Sequence, residues 1–279
     1  MLIIPERTIR NIGCATLLLL SASTGSAQSE KLSQLGEQIA KQCKALAPRN
    51  VSVADLTASE GKATELGHYF AWFLTAAVHY HGGGKVHVAD HDQFDAVLKQ
   101  VNILPSQLSE ASGLKALANK ANADIVLVGT MEKQSQDYVL QETAFRSSDG
   151  TAVFSQSVEI PRTAFLDSLV EPFPPKMDER VIDMKAKDTK LTPPRCVQCP
   201  IPMYTSRARD AKVQGTVLLN AIVTCQGRAA NLHPIRFLGF GLDEVAYETI
   251  KQWKFEPGKM PDGSPVATIV PIEMKFRMY

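Results

Sequence analysis

Between Gln214 and Tyr279 the chain changes its apolar period twice, from strand to helix and back, and this constrains its fold more than any other feature. Val217, Leu219, Ala221 and Val223 alternate with Leu218, Asn220, Ile222 and Thr224, as a strand with one well-buried face requires. Gln226-Gly227 supplies a turn, and Asn231 to Leu238 reads as the returning strand. Gly241-Leu242-Asp243 starts a helix, with Asp243 where a carboxylate suits the helix dipole. Leu242, Val245, Ala246, Thr249, Ile250 and Trp253 then fall at helical spacing. Phe255-Glu256-Pro257 stops that helix, Asp262-Gly263 turns again, and Val266 to Phe276 is a last strand. The result is a small antiparallel sheet of three strands backed by two helices, spanning residues 195–279.

The preceding sequence has a different rhythm. Ser29 to Ala47 carries Leu32, Leu35, Ile39, Cys43 and Leu46 at helical spacing, and Pro48 ends it. Val51 to Asp55 is a short strand, Gly61 to Tyr80 a helix, Val86 to Asp90 a strand, and His91 to Gln100 and Gly113 to Ala121 further helices. Ala123 to Thr130 is a nearly continuous apolar run, the mark of a central strand covered on both faces. Tyr138 to Arg146 and Ala152 to Val158 pair around Ser148-Asp149-Gly150-Thr151. Residues 28–160 therefore read as an α/β sandwich with a mixed sheet, and the whole chain as α+β. Pro161 to Pro194, with Pro172-Phe173-Pro174-Pro175 and Pro193-Pro194, reads as a linker, with Leu166, Leu169 and Val170 available to anchor part of it.

At 279 residues the chain has room for two ordinary domains, and a net charge of +1 gives no reason to expect nucleic acid. Residues 28–160 hold 11 basic and 15 acidic side chains, whereas 195–279 hold 11 and 7. Opposite signs would help the two parts dock, or are ordinary scatter. At the N-terminus, Arg7 and Arg10 precede an apolar run from Ile12 to Leu20 and small residues from Ser21 to Ala27. This is the pattern of a signal peptide, residues 1–27, cleaved before Gln28. The run is shorter than the ~20 residues a spanning helix needs. The alternative is an uncleaved anchor in the inner membrane. Cys14 does not follow the apolar run and is poorly placed for lipidation.

The last third resembles the C-terminal domain of the TonB family. The matching residues are Pro202-Met203-Tyr204, Ala208-Arg209, Gln214-Gly215-Thr216-Val217, Gly241-Leu242-Asp243, Ala246, Trp253-Lys254-Phe255-Glu256-Pro257, Gly263-Ser264-Pro265-Val266 and Phe276. The earlier part resembles the N-terminal domain of TolB and envelope lipoproteins of the curli-secretion and flagellar-assembly type. That likeness rests on Val51 to Asp55, Val88-Ala89-Asp90, Phe94 to Leu98, Ala123 to Thr130 and Asp149-Gly150-Thr151, and it departs at Asp90, where that family often carries arginine. The TonB resemblance implies an exported periplasmic protein that pairs a sheet edge with a segment of an outer-membrane transporter, driven by an inner-membrane motor. The edge residues are then Val266, Thr268, Ile269, Val270, Ile272 and Met274. A homodimer through the same edge and a soluble periplasmic adaptor without energy transduction remain open.

The cysteines offer a reading of a different class. Cys196-Val-Gln-Cys199 would suit a thiol-disulfide enzyme, but prolines at 193, 194, 200 and 202 leave no helix start to stabilise a thiolate. Zinc would need further ligands, of which only Cys225 is plausible. In an oxidising compartment a structural disulfide is favoured, with Cys225 joined to Cys196 or Cys199 as the preferred long-range pair. His68, His79, His81, His87 and His91 cluster with Asp90 and Asp92, and are read as surface or cap histidines, so no metal site is assigned. The chain lacks Gly-x-Ser-x-Gly, a phosphate loop and His-Glu-x-x-His; neither catalysis nor a cofactor is expected.

Overall fold

The computed structural model describes residues 15–48, 50–171, 173, 180–184 and 191–278, with side chains at 15–26, 111, 115, 116, 118 and 119 excepted. Arg7, Arg10, Cys14 and, within the proline-rich stretch, residues 172, 174–179 and 185–190 therefore lie outside the described residues. The first half contains α1 (Ala15–Leu46), β1 (Val51–Val53), β2 (Thr57–Ala58), α2 (Glu65–Gly82), α3 (His91–Val101), a 3-10 turn (Pro105–Ser109), α4 (Ala111–Ala121), β3 (Ile125–Lys133), β4 (Asp137–Arg146) and β5 (Ala152–Pro161). Then come α5 (Ala164–Ser168), β6 (Val181–Asp183), β7 (Arg195–Gln198), α6 (Ser206–Asp210), β8 (Gly215–Val223), β9 (Ala229–Arg236), α7 (Leu242–Lys251), β10 (Lys254–Glu256), β11 (Gly258–Lys259) and β12 (Pro265–Phe276).

The first sheet has the order β1-β3-β4-β5, with β2 also beside β3; β1 and β2 run parallel to β3, and the rest is antiparallel. The apolar run that starts at Ala123 becomes β3, covered on both faces as its composition requires. Ile125, Leu127 and Met131 enter the larger core with α1 and α2, while Val126 enters a smaller one with Phe94, Leu98, Leu108, Leu114 and Leu117. Alternate side chains leave a strand on opposite faces, so one strand serves both cores. The strand expected at Val86 to Asp90 shrinks to one bridge, Val88 to Val51. Its continuation is cut short because Asp90 caps α3, accepting from Gln93 N at 3.0 Å.

The second sheet has the order β11-β12-β8-β9, with β6 added to β12 in parallel. The expected three antiparallel strands and two helices are its centre, widened by two short strands. Its inner face carries Val217, Leu219, Ala221, Ile272, Met274 and Phe276 into the same large core as Leu32, Tyr69, Phe70 and Phe165. One apolar interior thus runs through both halves. The described parts of the stretch read as a linker are packed. β5 runs to Pro161, Phe165, Leu166 and Leu169 are buried, and β6 pairs with Ala267 to Ile269.

One core position breaks the apolar pattern. Glu142 on β4 is fully buried between Leu140 and Ala144, and neither carboxylate oxygen has a hydrogen-bond partner among the described residues. Its cross-strand neighbour is Gly129, where an added Cβ would sit 2.3 Å from the carboxylate, so only glycine leaves the room. Burial pushes the Glu142 carboxyl up to about 8. A folded-state value above the unfolded one means the native state holds the extra proton, so stability falls as pH rises from about 4.5 toward 8. Glu142→Gln removes that penalty. The variant should gain on wild type by up to about 1.4 kcal/mol per pH unit across that window, read from urea unfolding at pH 5, 6, 7 and 8. Parallel stability curves would refute this account of Glu142.

Candidate partner-binding edge and the turn that supports it

The predicted edge residues all lie on β12, but the sheet uses them differently along its length. Val266 pairs with Gly258 of β11, and Thr268 and Ile269 pair with Ile182 and Asp183 of β6. The expectation of a fully open edge is therefore corrected over Val266 to Ile269. Val270, Ile272 and Met274 pair on one side with Ala221, Leu219 and Val217 of β8, and among the described residues no strand lies on their other side. Ile269 shows which backbone groups look outward, because its carbonyl accepts from Met184 N at 3.3 Å, away from β8. By strand alternation, Pro271, Glu273 and Lys275 present their backbone on that side, whereas Val270, Ile272 and Met274 bond to β8.

The sequence pointed to the strand but not to this phase. Ile272, Met274 and Phe276 turn their side chains into the core, and Glu273 and Lys275 expose theirs. Pro271 has no N–H to offer, which shortens the usable edge to the two charged residues. Charge and proline both discourage indiscriminate strand pairing. The opposite margin of the sheet is β9, whose His233 pairs with Glu65 at 2.6 Å and stacks on Phe173 at 5.2 Å.

The strand is held in place by the turn before α7. Gly239, Phe240 and Gly241 have φ of 72°, 55° and 81°, three left-handed residues in succession. Asp243 closes this turn. Its carboxylate accepts from Leu238 N and Gly239 N, each at 2.7 Å, so it serves the loop rather than only the helix dipole. Thr205, which caps α6, donates to Phe240 O at 2.6 Å. Tyr204 lies edge-on over Phe276 at 5.4 Å and donates to Val213 O at 3.0 Å.

Glu244 faces the other way, into the first half of the chain. Its Oε1 accepts from Gln28 Nε2 at 2.9 Å, Ser29 Oγ at 2.9 Å and Tyr69 OH at 3.1 Å. Gln28 in turn accepts from Thr163 at 3.0 Å, and Arg207 donates to Ser29 O at 2.9 Å. Burial raises both carboxyls, and for Asp243 the adjacent Glu244 adds to it, so the pair resists double ionisation.

The cysteines pair differently from the preferred expectation. Cys196 on β7 is bonded to Cys199, the residue just after that strand, with Cα atoms 6.2 Å apart, while Cys225 lies in the β8–β9 turn with Sγ 3.7 Å from Pro265 O. Spacing decides this: two cysteines three residues apart reach each other before the hairpin turn does. The bridge sits on an exposed strand paired to β10 and on no helix N-terminus, so nothing local activates Cys196 as a nucleophile. Cys43 is buried in the large core and burial pushes its thiol up to about 11. Among the histidines, His68 and His91 do converge, and they meet Asp55, which sequence reasoning placed only as the end of a strand. No single stretch signals that triad, because its members come from three elements.

Residues 200–278 match the model of the family described as Gram-negative bacterial TonB protein C-terminal. A stretch of 78 residues, 28% of this chain, is 36% identical to Protein TonB of Vibrio cholerae serotype O1 and covers 32% of that protein. The chain thus spans about a third of the length of the curated relative it matches. Among solved structures, E. coli LpoB is similar at 14% identity and TM-score 0.37, covering 50% of this chain and 68% of that one. The TonB C-terminal domain of Pseudomonas aeruginosa is similar at 18% identity and TM-score 0.26, covering 35% and 95%.

Replacing Glu244 by Ala would strand three buried donors, and the cost should be about 2–3 kcal/mol in urea unfolding. Glu244→Gln retains an acceptor oxygen and should cost much less at pH 7. Equal losses in the two variants would mean that the side chain acts through packing alone.

Proposed function

We propose that this chain, which carries a TonB-type C-terminal domain at residues 200–278, is a periplasmic protein-binding component of the cell envelope and not an enzyme. One observation carries the reading: in the domain that matches the family, β12 from Val270 to Phe276 has no strand on the side away from β8 among the described residues. An extended peptide adds there as a further strand, taking main-chain hydrogen bonds from Glu273 and Lys275 and bypassing Pro271. Val197, Ile201 and Met203 add exposed apolar surface in the same domain, at 65%, 88% and 82% exposure. The role that follows from the TonB relationship is energy-coupled transport across the outer membrane, with a transporter segment on the edge and an inner-membrane motor behind it.

A second reading is favoured by the packing of α5 and β6. A transducer spans the periplasm through an extended spacer, whereas here described parts of residues 161–194 are built into the body of the protein. That shortens the reach and supports a soluble adaptor or assembly factor using the same edge. The two readings part at the N-terminus. Fractionation with N-terminal sequencing of the native protein should give a chain starting at Gln28 in the soluble periplasm for the adaptor. An intact Met1 end in the inner membrane is the result for the transducer.

The edge itself is tested by Glu273→Pro. The substitution removes an outward N–H while leaving the β8 pairing in place. Photo-crosslinking from Lys275 in intact envelopes should capture a partner in wild type and lose it by tenfold or more in the variant, on the order expected for one or two lost strand bonds. Undiminished capture by a folded variant would eliminate strand addition at this edge.

A further inference from the structure

Asp55, His68 and His91 come from three separate elements and bring one donor atom each to a common point. Asp55 follows β1, His68 lies in the first turns of α2, and His91 is the first residue of α3. They meet beyond the carboxyl end of a parallel strand, where open α/β sheets collect ligands. The three donor atoms form a small triangle. Asp55 Oδ1 is 2.8 Å from His91 Nε2 and 3.1 Å from His68 Nδ1, and the two nitrogens are 3.4 Å apart. Ligands held at about 2.0–2.1 Å around a tetrahedral ion are about 3.3 Å from one another. The triangle therefore needs to open by only a few tenths of an ångström to hold such an ion.

The orientation of His91 supports the same conclusion. Its side chain is 2% exposed, and its Nδ1 lies 3.1 Å from Val53 O. A carbonyl only accepts, so Nδ1 is the donor. In neutral imidazole the lone pair then sits on Nε2, the atom that faces Asp55 and His68. A backbone carbonyl fixing the far nitrogen is how proteins present imidazole to a metal. Asp92 and Asp95 add negative field at His68. Asp55 and His68 also line a cleft of about 540 Å³ with Asp95, Asn102 and Leu104, which gives an ion a way in and room for water as the remaining ligand.

We propose that Asp55, His68 and His91 form a binding site for a divalent transition ion of the zinc class, with its fourth position open to the cleft. The nitrogen-rich donor set selects such ions over magnesium or calcium, which take oxygen ligands in larger numbers. The site owes nothing to the TonB-type domain and stands or falls independently of partner binding.

The test is zinc titration of the full chain purified without an affinity tag, followed by calorimetry, by thermal unfolding and by the visible spectrum with cobalt in place of zinc. The expected result is one zinc per chain at this site, a rise in Tm with zinc but not with magnesium, and a tetrahedral cobalt spectrum. His68→Gln, chosen because His68 is 33% exposed and its loss should leave the fold intact, should weaken binding roughly tenfold or more and abolish the cobalt bands. His91→Gln should do the same, with far-UV circular dichroism confirming that it folds. Zinc binding that survives in a folded His68→Gln chain, or no binding in wild type, overturns the proposal; the latter leaves a proton-held cluster instead.

Discussion

Two adjacent carboxylates at the start of α7 hold this structure together, and they do so by facing opposite ways. Asp243 takes two backbone N–H groups of the preceding turn, and Glu244 takes side chains from α1 and α2. Both are buried, so each must be supplied with donors or stay protonated. The three left-handed residues Gly239, Phe240 and Gly241 follow directly on the amides that Asp243 secures, those of Leu238 and Gly239. Glu244 gives the two halves of the chain a directional contact that an apolar interface alone would lack. The hydrophobic interior supplies the greater part of the attraction, while the carboxylates fix the register in which the halves meet.

That register decides what the second sheet can offer to others. With β6 and β11 laid along the first part of β12, the sheet is closed where residues between the two halves return to it, and open where the chain approaches its final residues. The exposed portion is short, lacks one donor at Pro271, and carries Glu273 and Lys275. Those features suit pairing with one particular strand and discourage pairing with any strand. The opposite margin, at β9, is engaged by Glu65 and Phe173 through His233.

Much of this was legible in the residues themselves, and the remainder was hidden for physical reasons. Long periodic elements declared themselves: β3 by its continuous apolar run, β8 and β12 by alternation, α2 and α7 by helical spacing. The short strands β2, β6, β7, β10 and β11 have two to four residues each, too few to show a period; β2, β6 and β11 lie along longer strands, and β7 and β10 pair with each other. The phase of β12 is likewise a property of its pairing with β8 and not of its own sequence. By alternation Glu142 shares the buried face of Leu140 and Ala144, and Gly129 opposite makes the space for its carboxylate inside. The preferred disulfide failed because a bridge across three residues from Cys196 to Cys199 needs only local geometry, whereas one to Cys225 needs the hairpin turn to come to it.

The histidines show most clearly how topology creates chemistry that sequence spacing conceals. Of five histidines grouped along the chain, only His68 and His91 converge with each other, and their common partner, Asp55, was set aside as the end of a strand. Asp55 sits where β1 ends, and the helices that follow return their first turns to that same end. His68 is next to Tyr69 on α2, so one turn of helix carries both a donor to the ion site and the hydroxyl that reaches Glu244.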